Sequence, residues 1–95
     1  MTQPAGPSAD EWDTLYAIRR LGGDILHRTD YFHGKGVGPD EADCEAMRAI
    51  IALAEVGPVN ERAERIVAIA RRLYSRHNPV AIAAQLIIDK CKALT

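Results

Sequence analysis

The densest group of side chains able to hold a metal or move a proton in this 95-residue chain is His27, Asp30, Tyr31 and His33. The pattern His27-x2-Asp30-x2-His33 supplies metal-type ligands. On one helix these positions fall at about 0°, 300° and 240° around the axis, so all three cannot converge on one ion. Cys44 and the acids of the helix that carries it would have to complete such a site. Neither Cys-x2-Cys nor His-Glu-x2-His spacing is present to support it. Bundle di-metal centres need a Glu-x2-His from each of two helices, and here only Asp24-x2-His27 comes near, once. The expectation is no metal and no cofactor, with the histidines at the surface or anchoring a loop.

Phosphate and acyl chemistry fare no better. Gly34-Lys35-Gly36-Val37-Gly38 lacks the Walker spacing, and no strand precedes it, so it is expected to be a helix connector. Ser8 and Ser75 have no glycine-framed elbow, and neither Cys44 nor Cys91 adjoins a histidine. No catalytic residue is assigned, and the chain is expected not to be an enzyme.

Arginine spacing raises a different chemistry. Arg65, Arg72 and Arg76 lie within about 40° of one another on a helix, with Arg62 and Arg71 on the flanks, and a basic stripe of this kind can follow phosphates. The segments on either side of Gly57-Pro58-Val59 also have a helix-turn-helix outline, with Asn60, Glu61, Arg62 and Arg65 opening the second helix, where base contacts arise. Three features oppose it. Leu53 stands where that motif wants a small residue, Glu61 is spaced to pair with Arg65 as an ordinary surface pair, and the net charge is -1. A solvated arginine face is the simpler reading, and DNA binding is the alternative.

Contact chemistry remains. Tyr31, Phe32 and His33 sit beside the glycines, where aromatics either tuck over the bundle end or present a contact surface. Residues 80–94 carry apolar residues on two sides of one helix. Val80, Ala83, Ala84, Ile87, Cys91 and Leu94 form one stripe, and Ile82, Leu86 and Ala93 lie nearly opposite. Such a helix is either central in its bundle or covered from outside the monomer.

The elements that must position these residues are all helical. Ser8 and Glu11 form a capping box for a first helix over 8–28, with Trp12, Leu15, Tyr16 and Leu26 as its apolar stripe. Gly22-Gly23 is expected to kink or split it, each glycine costing about 1 kcal/mol relative to alanine, with Asp24 capping the second piece. Pro39 and Asp40 open a second helix over 39–56, whose first-turn acids suit the helix dipole and whose face is Cys44, Met47, Ile50, Ile51 and Ala54. Asn60 caps a third over 60–76, with Ala63, Ile66, Val67, Ala70, Leu73 and Tyr74 at helical spacing. Asn78-Pro79 opens a fourth over 79–93. The expected fold is all-α: a small bundle of four helices, or five segments if the first one splits. Residues 1–7 are read as a flexible lead-in and 8–95 as a single domain.

Composition agrees with that outline. A hydrophobic share of 47% with 26% charged residues is ordinary for a globular chain, far from the regime of disorder. Residues 1–55 carry ten acids against five bases and residues 56–95 three acids against seven bases, an asymmetry that either signals a nucleic-acid face or cancels when the halves pack. Val80 to Ile88 is far too short an apolar run to span a bilayer. With no basic n-region or apolar h-region at the start and only Cys44 and Cys91 as thiols, a cytoplasmic location is expected.

Together these readings point to a small non-enzymatic binding or regulatory protein acting through protein–protein contacts. Its interaction residues would be Tyr31, Phe32, His33, Ile82 and Leu86, and its partner another protein or a second copy through the fourth helix. In general outline it resembles accessory and mobile-element-encoded proteins, inhibitors among them. The alternative is a helix-turn-helix-like DNA-binding regulator using Arg62, Arg65, Arg72 and Arg76.

Overall fold

A computed structural model describes residues 9–29, 34, 36, 38–56 and 61–94. Among these residues four α-helices, α1 (Ala9–His27), α2 (Glu41–Val56), α3 (Arg62–Tyr74) and α4 (Pro79–Cys91), are followed by a 3-10 turn at Lys92–Leu94. No strand occurs among the described residues. Each helix packs on its neighbour in sequence and α4 closes back on α1, giving a four-helix bundle. All four helices are therefore peripheral around a shared core of Leu15, Ile18, Met47, Ile50, Ile66, Leu73, Val80 and Ile87. Among the described residues no helix is long and apolar enough to cross a membrane.

The first helix departs from expectation in two ways. It runs unbroken through Gly22 and Gly23, so this helix is not split and Asp24 caps no second piece of it. The missing side chain of Gly22 makes room for α2: a Cβ there would meet Ile51 Cγ1 at 2.9 Å and Met47 Sδ at 3.1 Å, whereas one on Gly23 would meet nothing within 4 Å. The buried stripe is Leu15, Ile18, Gly22 and Ile25. Trp12 and Tyr16 are exposed instead, because Tyr16 lies about 150° around the helix from the centre of that stripe.

The other helices keep their expected faces with small changes. Cys44, Met47, Ile50 and Ala54 are buried on α2, and Ile51 is half-buried over Gly22. On α3 the buried residues are Arg62, Ile66, Ala70 and Leu73, while Tyr74 is exposed. The expected cap Asn60 lies outside the described residues, as does Ser8. Glu61 precedes the first turn of α3 without a side-chain cap bond.

One polar cluster fixes the start of α4. Asp40 and Asp43 form a reciprocal capping box at the start of α2. The Asp43 amide donates to Asp40 Oδ1 at 2.9 Å and the Asp40 amide to Asp43 Oδ2 at 3.3 Å. These capping bonds, with help from the Arg76 charge, hold the Asp40 carboxyl below its ordinary pKa. The buried Asp43 carboxylate also accepts from Asn78 Nδ2 at 3.1 Å and pairs with Arg76 Nε at 2.9 Å. Arg76 reaches Asp40 Oδ2 at 2.8 Å as well. Asn78 Oδ1 then accepts from the Val80 amide at 2.9 Å, capping α4. Between Arg76 and Asn78 the backbone turns at His77, whose φ of 58° is left-handed, a conformation costing a non-glycine residue roughly 1–2 kcal/mol.

Candidate functional site

Because α4 is peripheral, only one of its apolar faces has a place to go. Val80, Ala83, Ala84, Ile87 and Cys91 fill the core. That burial pushes the Cys91 thiol up to about 11, so it stays protonated and inert near neutral pH. On the opposite face Ile82 is 70% exposed and Leu86 45% exposed. One helical turn apart, they form a short apolar ridge.

The ridge stands between two open grooves. The one toward α1, of about 350 Å³, is floored by Leu21, Ile25 and Ala83 and carries Asp24 and Arg28 on its rim. The other, of about 300 Å³, lies toward the exposed ring of Tyr74 on α3 and includes Ala81 and Gln85. Charged groups are held to the end of the helix, where Gln85 Nε2 donates to Asp89 Oδ1 at 3.1 Å and Lys92 pairs with the same carboxylate at 3.5 Å. The resulting surface is an apolar centre with a polar margin, the usual anatomy of a protein contact. A third groove, of about 360 Å³, runs between α3 and α4 along Val67, Ala68, Arg71 and Ile88.

Of the residues singled out for contact, Ile82 and Leu86 are thus brought together and exposed. Tyr31, Phe32 and His33 lie outside the described residues. Sequence reasoning missed the exposure of Tyr74, Trp12 and Tyr16, having placed all three on buried stripes. The signal for α1 was present in Ile18 and Ile25, which with Leu15 already complete a stripe that has no room for Tyr16.

The four arginines considered for nucleic acid do not form a free basic stripe. Arg62 is buried, with its guanidinium 5.9 Å from the centre of the Trp12 ring. Arg65 pairs with Glu61 at 2.7 Å, and Arg76 is held by Asp40 and Asp43. Arg72 is exposed. Two further arginines, Arg19 and Arg20, flank the Tyr16 ring at 5.9 and 6.0 Å from its centre. Arg19 Nε also lies 3.2 Å from Glu55 Oε1, an ion pair by distance but without hydrogen-bond alignment.

The residues weighed as metal ligands are dispersed. His27 is exposed at the end of α1, whereas Cys44 is buried on α2 with its sulfur 3.8 Å from Thr29 Oγ1. Asp30 and His33 lie outside the described residues. Among the described residues no three His, Cys, Asp or Glu side chains are grouped closely enough to hold an ion. The chain matches no protein-family model, no curated protein and no solved structure.

Proposed function

We propose that this chain is a small, non-enzymatic binding or regulatory protein whose contact surface is the outer face of α4. The observation that carries the reading is the exposure of Ile82 and Leu86 on a helix whose other face already completes the core. Two large aliphatic side chains left side by side in water are costly. Covering both would contribute roughly 2–3 kcal/mol at the usual value for burying such side chains. Their grooved flanks would let a partner interdigitate rather than merely touch. Action as an inhibitor, through occlusion of a partner's surface, fits a bundle of this size in the cytoplasm.

The alternative, a DNA-binding regulator, has less to rest on. Of its four arginines, three are engaged within the chain by Trp12, Glu61, Asp40 and Asp43. Capture of partners from a nuclease-treated host lysate tests both readings. Proteins retained by the wild type and lost by Ile82→Glu are the expected result. Identical capture by both chains, or capture that disappears on nuclease treatment, would sink the contact reading. Salt-dependent retention on DNA that is abolished by reversing the charges of Arg65 and Arg72 would favour the alternative.

A further inference from the structure

We infer that the outer face of α4 takes an acidic amphipathic helix of another protein, which rests on the contact reading above and names the partner's chemistry. Charge is the first argument. Lys90 continues the line of Ile82 and Leu86 one turn farther along α4 and is exposed like them. At the other end of the ridge, exposed Arg28 of α1 lines the same groove as Ile82. Among the described residues neither Lys90 nor Arg28 makes an ion pair. Two aliphatic side chains are therefore bracketed by two cations that nothing in the chain neutralises.

The neighbouring acids do not cancel them. Asp24 shares the groove rim with Arg28, but it stands between Arg28 and Arg20 on α1 and acts on Arg20 through space. Asp89 is taken by Lys92 and Gln85. From Arg20 to Arg28 on α1 and from Pro79 to Leu94, four bases (Arg20, Arg28, Lys90 and Lys92) face two acids. The chain as a whole carries a net charge of -1, so this surplus is local. A second copy docked face to face would bring the same cations, whereas a partner's carboxylates would complement them.

Shape is the second argument. The ridge runs between two grooves bounded by helices. A helix laid along it drops aliphatic side chains spaced i, i+3 or i+4 into the grooves on either side. Ile82 and Lys90 are about 12 Å apart along the axis, so acids about one turn outside the partner's aliphatics reach both cations. A phosphate backbone would leave the ridge uncovered, and a flat lipid headgroup layer would leave both grooves empty.

Titration calorimetry of the full chain uses two capped helix-forming peptides of about 18 residues. One carries a leucine face bordered by glutamates, and its twin has lysine at every glutamate. The acidic peptide is expected to bind at least about tenfold tighter than its twin, because several rim contacts change sign. Unspecific attraction to a slightly acidic chain would favour the lysine twin instead. Ile82→Glu should weaken the acidic peptide at least about tenfold, as loss of a central apolar contact does. Arg28→Glu combined with Lys90→Glu should reverse the order of the two peptides. Melting curves matching wild type show that each variant is folded.

Equal binding of the two peptides, no binding of the acidic one, or an unchanged order in the double variant overturns the inference. So does Ile82-dependent binding to phosphatidylglycerol vesicles or a DNA duplex in place of the acidic peptide. If neither peptide binds while host-protein capture is still lost in Ile82→Glu, the acidic helix is overturned and the contact reading stands. Capture unchanged by Ile82→Glu removes the contact reading, and this inference with it.

Discussion

The two apolar faces of α4 are built from the same residue types and have opposite fates. The inner face, Val80, Ala83, Ala84, Ile87 and Cys91, is buried throughout, while Ile82 and Leu86 stand in water on the other side. Side-chain chemistry does not separate them. Position in the ring of helices does: α4 touches α3 and α1, and a peripheral helix has only one side to give to a core. A sequence that leaves large aliphatics on the remaining side leaves a surface whose burial is still available to a partner.

The largest effect should come from trimming each face in turn. Ile87→Ala removes a fully buried side chain and is expected to cost about 2–5 kcal/mol, whereas Ile82→Ala at dilute concentration should change stability by no more than about 0.5 kcal/mol. Urea unfolding reads both values, and equal losses would erase the distinction between the faces. Next is the cluster that sets where α4 begins and how it is rotated. Asp43→Ala deprives Asn78 and Arg76 of a buried acceptor and should cost roughly 2 kcal/mol. Dye binding by the variant would show whether the inner face has been loosened along with the cap.

The same inside-versus-outside logic applies to adjacent glycines on α1. Gly22→Ala must displace Ile51, and overpacking at about 1–3 kcal/mol outweighs the gain of about 1 kcal/mol in helix propensity. Gly23→Ala meets open space and should stabilise by up to about 1 kcal/mol. Thermal melts of the two variants moving in the same direction would contradict the close approach of α1 and α2.

The smallest effect is electrostatic. Because Asp40 titrates below its ordinary 3.8 in the folded chain, the native state holds that proton more weakly than the unfolded one. Its contribution is complete above the ordinary value and is lost as the pH falls through the lowered folded value. Asp40→Asn keeps a capping side chain but loses the charge facing Arg76. Its urea midpoint should therefore fall less steeply than that of wild type between pH 5 and pH 3, a range taken from roughly one unit either side of an ordinary carboxylate.

Legibility varied with how locally each feature is encoded. The start of α4 could be read from Asn78-Pro79 because a cap and its first turn are adjacent in sequence. The break expected at Gly22-Gly23 failed because glycine's helix cost is small beside the packing that a missing Cβ permits. Arg76 read as a surface cation because its partners, Asp40 and Asp43, are more than thirty residues away. Trp12 and Tyr16 read as core because Trp12 falls at helical spacing from both Leu15 and Tyr16, although Leu15 also belongs to the stripe that Ile18 and Ile25 complete.

By itself the sequence determined an all-helical bundle of four or five segments, most of its buried faces and the two-sided character of α4. Periodicity and capping are properties of a single helix and survive without knowledge of its neighbours. Only the tertiary structure decided that α4 lies at the edge of the ring, that Gly22 is a contact point, and that Arg62 and Arg76 have partners inside the chain. Those outcomes depend on which helices adjoin which, and that is fixed by packing among distant residues.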